Sequence, residues 1–254
     1  MRMNRVLKIF LMLFTSILYG YTMNKTVNEG EKLQRIMDYS DEITIRHLLS
    51  NTSGLPDYFE QKGENGRSLK DELISGKDEK WRFEDAITIS KNMTPHFRPG
   101  QKNKAYHSDT NFQLLGKIIE SVTGMTFSKA LEKHIFQPLK LEKTYLDRDS
   151  ADTFPEIMYY KSKPLPIPMA MSSFGPDGGI VSTADESMIF LKAFFDETLF
   201  PKEYLDEMKE WNKIFFPLQY GTGILNTLCE WHESVSPGVR FCCRQECQMY
   251  QEMR

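Results

Sequence analysis

Cysteine is absent from the first 228 of the 254 residues. This body therefore uses neither disulfides nor thiolate metal ligands. The cysteines that follow fit no common zinc-site spacing, so we predict no metal site there. Because the composition changes abruptly at this end of the chain, residues 229–254 are interpreted as an aberrant or disordered tail. The cysteines are Cys229, Cys242, Cys243 and Cys247.

An excess of charge of one sign is also missing, because 32 basic and 35 acidic residues give a formal net charge of −3. With no strong positive field to collect phosphates, we expect no nucleic-acid partner. The chain has no internal repeat, low-complexity tract or Pro/Gly/Ser-rich linker. With 40% hydrophobic and 26% charged residues, it has the composition of a folded globular protein of one to two domains.

Long apolar runs are missing as well. The run at residues 9–19 is well short of the roughly 20 residues that a membrane-spanning helix needs. Two arginines precede it, as in a signal peptide, but no clean small-residue cleavage site follows. We therefore favour export (periplasmic, extracellular or membrane-anchored) for the segment 1–23. An uncleaved anchor, with membrane association through residues 6–23, and a buried segment with no targeting role stay open.

Apolar residues at helical spacing predict a mainly helical chain. The best helix, 111–123, ends at Gly124, and Pro201 precedes another helix at a first-turn position. The predicted helices are 43–50, 83–93, 111–123, 126–136, 182–195 and 202–212; the predicted strands are 178–181 and 219–224. Residues 60–80, 97–104 and 163–180 are rich in turn-forming residues.

Common catalytic motifs are absent: there is no Gly-x-Ser-x-Gly, Walker loop, Gly-x-Gly-x-x-Gly or His-Glu-x-x-His. The histidines fall into no metal-ligand spacing, and no carboxylate pair stands out as an acid/base dyad. We therefore predict no cofactor and no metal site.

Three stretches do stand out. They are residues 43–58 (ITIRHLLSNTSGLPDY), residues 99–100 with 106–116 (PG and YHSDTNFQLLG), and residues 178–185 (GGIVSTAD). Together they resemble the serine β-lactamase-related family, which includes class C β-lactamases, D-alanyl-D-alanine carboxypeptidases and esterases with the penicillin-binding-protein fold. The resemblance covers about residues 42–228, in the family's order.

The resemblance implies an α+β, β-lactamase/transpeptidase-like fold, in which an α/β domain assembled from both ends of the chain carries a helical insertion. This chain would then be mostly the helical portion, with an incomplete antiparallel sheet. The predicted organisation is an apolar segment 1–23, a partial β-lactamase-related domain 24–228 and the tail 229–254.

The resemblance also implies acyl transfer to a serine, on D-Ala-D-Ala peptides, β-lactams or small esters. The family uses three motifs in one cleft. Ser-x-x-Lys supplies the nucleophile and the lysine that assists its deprotonation. Tyr-x-Asn relays the proton and binds the substrate amide, and Lys-Thr-Gly or His-x-Gly faces the substrate from an edge strand.

The first and third of these motifs are missing. None of the serines is followed by lysine three residues later, so no nucleophile is found. Residues 27–33 resemble the family segment that follows the nucleophile helix, which makes a remnant of that helix a further interpretation of residues 6–23. No Lys-Thr-Gly or His-x-Gly occurs after residue 220. We therefore expect a family member shortened at both ends and inactive by itself.

The second motif is altered. His107 stands where the family has its tyrosine, Tyr106 lies one residue earlier, and Asp109 takes the Asn/Asp place. These three are the candidate catalytic residues, with His107 as a base or Tyr106 brought in by a backbone shift. The same turn also suits a simple helix N-cap.

Two functions follow from these patterns. The first is a family hydrolase that acts on a peptide, β-lactam or small-ester substrate. The second is a non-catalytic, membrane-anchored or secreted binding protein derived from that family.

Overall fold

A computed structural model describes residues 39–196, 198–199, 202–215, 218–227 and 240–241. The segment 1–23, with its signal, anchor and remnant-helix interpretations, lies outside these residues. So does the predicted tail 229–254, apart from residues 240–241. Export and membrane association therefore stay predictions. Within the described part of the chain, no helix is long and apolar enough to cross a membrane.

Helices alternate with short strands along the chain. The helices are α1 Ile45–Leu49, α2 Leu69–Ile74, α3 Phe83–Lys91, α4 Asp109–Thr123, α5 Phe127–Leu131, a π-helical turn Glu132–Phe136, α6 Gln137–Leu139, α7 Pro168–Met171, α8 Ala184–Phe195 and α9 Lys202–Met208. The strands are β1 Tyr145–Leu146, β2 Met158–Tyr160, β3 Lys163–Leu165, β4 Ile180–Val181, β5 Asn212–Phe215, β6 Leu218–Tyr220, β7 Ile224–Thr227 and β8 Arg240–Phe241.

All the strand pairs described are antiparallel. Strand β1 pairs with β4, β2 pairs with β3, and β5-β6-β7-β8 form a small meander. A helix-rich chain with small antiparallel sheets confirms the predicted α+β class.

Helix α4 is the central element, and it confirms the strongest prediction. Leu114, Leu115 and Ile118 are buried along one face, where they join the larger hydrophobic core with Leu48 of α1. The helix ends as predicted at Gly124, whose φ of 66° is left-handed and whose N–H donates to the Glu120 carbonyl.

Three predictions about local structure were wrong. The turn-rich stretch 163–180 contains strand β3 and helix α7. The turn-rich stretch 60–80 contains α2, where the Ser68 hydroxyl accepts a hydrogen bond from the Asp71 N–H and the Ser68 N–H donates to the Asp71 carboxylate. The helix predicted at 202–212 ends at Met208, because Asn212 already belongs to strand β5 and pairs with Tyr220.

A buried polar network joins the loop after α1 to the start of α4. Asn111 donates to the side chain of Asn51 at 2.7 Å, and Ser53 donates to Asn111 at 2.6 Å. The Ser108 N–H also donates to the Asn51 side chain. Asn51 Nδ2 is the one buried atom of this side chain without a partner among the described residues. The three hydrogen bonds nevertheless hold residues 50–58 against the N-terminus of α4.

Candidate functional site

A cavity of about 440 Å³ opens beside the N-terminus of α4. Its wall is largely apolar and aromatic, with ionisable side chains at one end. The residues that line it are Phe59, Glu60, Lys70, His107, Asp109, Phe154, Pro155, Glu156, Met158, Met171, Phe174, Gly178, Gly179, Ile180, Val181 and Ser182. Concave, mostly apolar sites with a few convergent polar groups are typical of small-molecule binding sites.

The aromatic wall is rigid because its rings pack on one another. Phe174 contacts Phe59 and Trp81 edge to face, with ring centroids 5.1 and 5.0 Å apart. The main-chain N–H of Trp81 donates to the Ser173 hydroxyl, which ties this cluster to the loop that carries Phe174.

His107 and Asp109 form the polar end of the cavity together with Asp57. The His107 side chain is 17% exposed, whereas those of Asp57 and Asp109 are 1% and 3% exposed. His107 Nδ1 lies 4.0 Å from Asp57 Oδ2, and His107 Nε2 lies 3.9 Å from Asp109 Oδ1. The imidazole therefore lies between two nearly buried carboxyl groups.

Aromatic neighbours hold the His107 ring in place. Its centroid is 5.9 Å from the Phe112 ring and 6.2 Å from the Tyr220 ring. Tyr220 is fully buried, and it is the last residue of strand β6. The β5-β6-β7-β8 sheet therefore helps to orient the candidate base.

Asp57 is fixed by its own backbone turn. Its Oδ1 accepts hydrogen bonds from the N–H groups of Phe59 at 2.8 Å and Glu60 at 3.2 Å. Burial raises the pKa of Asp57 to about 7, although these hydrogen bonds oppose the shift. Near neutral pH this carboxyl group therefore exchanges between its protonated and ionised forms.

Tyr106 does not line the cavity. Its ring stacks on His96 with centroids 3.6 Å apart, and its N–H donates to the Asn51 carbonyl. Burial, followed by the charge of Asp57, raises the pKa of Tyr106 to about 12. Of the three sequence-predicted site residues, the structure thus brings His107 and Asp109 together at the cavity and places Tyr106 against His96.

Sequence reasoning missed Asp57 as a site residue. It lies within the first family-like stretch, but no spacing rule connects it to His107 and Asp109, because the contact depends on how the loop after α1 folds onto α4. Asp57 is the one acidic residue in the stretch 43–58, and that is the signal that could have identified it.

A further buried carboxyl group, that of Asp177, fixes the loop that carries Gly178 and Gly179. Asp177 Oδ2 accepts hydrogen bonds from the Tyr58 hydroxyl at 2.5 Å and from Gln113 at 2.8 Å. Its Oδ1 accepts from the Gly175 N–H at 2.8 Å. These contacts tie the loop before β4, with Gly178 and Gly179 at the cavity, to α4.

Residues 24–222 match the family described as Beta-lactamase. The chain belongs to this family. The match spans the loop after α1, the α4 turn with His107, and the glycine loop before β4 that form the cavity. It confirms the resemblance drawn from the three stretches.

Curated relatives include a D-aminopeptidase of Cereibacter sphaeroides, 27% identical over 189 residues that cover 71% of this chain and 33% of the relative. Penicillin-binding protein 4 of Amycolatopsis lactamdurans is 28% identical over 167 residues, which cover 63% of this chain and 40% of the relative. This chain thus spans about a third of the D-aminopeptidase that it matches.

Solved structures agree on the fold. A D-stereospecific amidohydrolase from Streptomyces sp. superposes with a TM-score of 0.63 at 23% identity, over 89% of this chain and 72% of that chain. A D-amino acid amidase from Ochrobactrum anthropi superposes with a TM-score of 0.63 at 25% identity, over 89% and 67%. The β-lactamase/transpeptidase-like fold predicted from the sequence is therefore confirmed.

Proposed function

We propose that this polypeptide binds an amide or peptide built on a D-amino acid in the 440 Å³ cavity, and that it binds this ligand without forming an acyl-enzyme. The observation that carries the proposal is the cavity itself, in which His107 and Asp109 lie beside an aromatic wall. The D-aminopeptidase and D-amino acid amidase relatives support the D-amino acid part of the ligand.

The chemistry of the lining residues supports binding over acylation. Covalent catalysis by serine needs a base within hydrogen-bond reach of its hydroxyl. Among the residues that line the cavity in the described part of the chain, the serine is Ser182, whose hydroxyl is 2.8 Å from that of Thr144. Asp185, not lysine, stands three residues after Ser182. A Ser-x-x-Lys pair therefore has no counterpart on this wall.

Each end of the cavity suits one part of such a ligand. The rings of Phe59, Phe154 and Phe174 offer an apolar surface for an aromatic or aliphatic side chain. The carboxyl group of Asp109 and the imidazole of His107 can exchange hydrogen bonds with an amide. A ligand with one apolar side chain and one amide group thus matches the two ends.

Filling the cavity tests this proposal. Ile180 lines it and is 42% exposed, so Ile180→Trp can project a large ring into the cavity without disturbing the core. We expect calorimetric titration with D-phenylalanine amide to show binding to the parent chain and at least about tenfold weaker binding to this variant.

Ile189→Trp is the matched control, because Ile189 is 45% exposed on α8 and is not among the lining residues. It should bind like the parent chain. Equal binding to the parent and both variants would place the ligand elsewhere, and absence of binding to the parent would refute the proposed ligand class.

A further inference from the structure

Asp57, His107 and Asp109 form a compact set of metal-ligand donors. One ligand atom from each side chain lies within 4.8 Å of the other two. Zinc–nitrogen and zinc–oxygen bonds are about 2.0–2.2 Å long, so two donors that share one ion are at most about 4.3 Å apart. His107 Nδ1 lies 4.0 Å from Asp57 Oδ2 and His107 Nε2 lies 3.9 Å from Asp109 Oδ1. Since one ion takes only one of the two ring nitrogens, one carboxylate has to turn toward the nitrogen that binds. Donors up to 4.8 Å apart would have to close by roughly half an ångström or more around one ion.

The surroundings of these donors resemble those of a metal site. Two nearly buried carboxyl groups repel each other when both are ionised, and a bound cation offsets that repulsion. Asp57 already has its Oδ1 held by the Phe59 and Glu60 N–H groups, while its Oδ2 faces His107. Carboxylates that bind a metal ion are usually held by hydrogen bonds of this kind.

The cavity gives an ion both access and open coordination positions. His107 and Asp109 line the cavity, whereas Asp57 lies behind them. Three protein ligands with the remaining position open to solvent or ligand is the arrangement of reactive zinc sites.

The sequence departs from the family pattern at one of these three positions: His107 replaces a tyrosine, while Asp109 takes the Asn/Asp place. Imidazole and carboxylate are common ligands of divalent transition metals. We propose that Asp57, His107 and Asp109 bind a divalent transition-metal ion, for which Zn²⁺ is the probe. This inference does not depend on the proposed amide ligand.

Calorimetric titration of the full, chelator-treated chain with Zn²⁺ tests this site. Because the cysteines beyond residue 228 can also take zinc, the readout is the difference between the parent chain and His107→Tyr, which restores the family residue. We expect the parent to bind one more equivalent of Zn²⁺ than this variant. Asp109→Asn should weaken that equivalent by at least about 10–100-fold.

Two controls separate this site from other zinc sites. His96→Asn removes a histidine that contacts Gln61 and Tyr106, outside the donor set, and should leave the stoichiometry unchanged. The Co²⁺ spectrum of the equivalent lost in His107→Tyr should lack thiolate-to-metal charge transfer. Equal Zn²⁺ stoichiometry and affinity in the parent and His107→Tyr, or thiolate charge transfer in the lost equivalent, would overturn the inference.

Discussion

Replacing Gly54 with alanine is expected to destabilise the chain by more than about 4 kcal/mol, or to prevent soluble expression. Gly54 has a φ of 74°, and a Cβ added there would lie 1.9 Å from the carbonyl oxygen of Phe97. That oxygen belongs to the backbone, so no side-chain rotation relieves the clash. The Gly54 carbonyl also accepts the His96 N–H, which fixes the loop from the other side.

Gly124→Ala separates the clash from the backbone conformation. Gly124 has a similar φ of 66°, but an added Cβ would meet nothing within 4 Å. Gly124→Ala should lower the free energy of unfolding by only about 1 kcal/mol, the usual penalty for alanine in the left-handed backbone conformation. Denaturant unfolding of both variants gives the comparison. Equal losses would mean that the loop after α1 does not pack on Phe97 as described.

Replacing Asp177 with alanine is expected to lower the free energy of unfolding by about 3–5 kcal/mol. The change leaves the Tyr58 hydroxyl, the Gln113 amide and the Gly175 N–H without their acceptor in a buried site. Asp177, Tyr58 and Gln113 are all buried, and this burial raises the pKa of both Asp177 and Tyr58. The glycine loop at the cavity should loosen at the same time.

Asp206→Ala is the control for this prediction. Asp206 is 72% exposed and pairs with Lys209 at 3.1 Å, so its removal should change the free energy of unfolding by less than about 1 kcal/mol. Urea unfolding at one pH compares the two variants. A loss in Asp177→Ala no larger than that in Asp206→Ala would show that the buried network contributes little.

The helices and strands that could be predicted from the sequence are those with a clear local pattern. The apolar spacing of α4 and the glycine after it determine a helix within a few residues, and both were found. The β2-β3 hairpin was not predicted. Pro164 is typical of a loop, and neither the positive φ of Lys161 and Ser162 nor the strand pairing can be seen in the sequence.

The candidate site shows the same division. The altered Tyr-x-Asn motif placed His107 and Asp109 at the cavity, because the motif is contiguous and begins a helix. The orientation of Tyr106 depends on its stacking with His96. These residues lie in separate parts of the sequence, so the motif alone does not predict the contact. Asp57 and Asp177 come from separate stretches that meet only after α4 is packed.

Intact-mass measurement tests the central claim most directly. The parent chain is incubated with a fluorophosphonate and, separately, with a β-lactam, and an active serine hydrolase of the family serves as the positive control. The Ser182 hydroxyl is hydrogen-bonded to that of Thr144, and no Ser-x-x-Lys occurs in the sequence. We therefore expect the mass of the chain to stay unchanged, while D-phenylalanine amide still binds. A stoichiometric adduct mapped to a serine would contradict the account and make the chain an acylating enzyme.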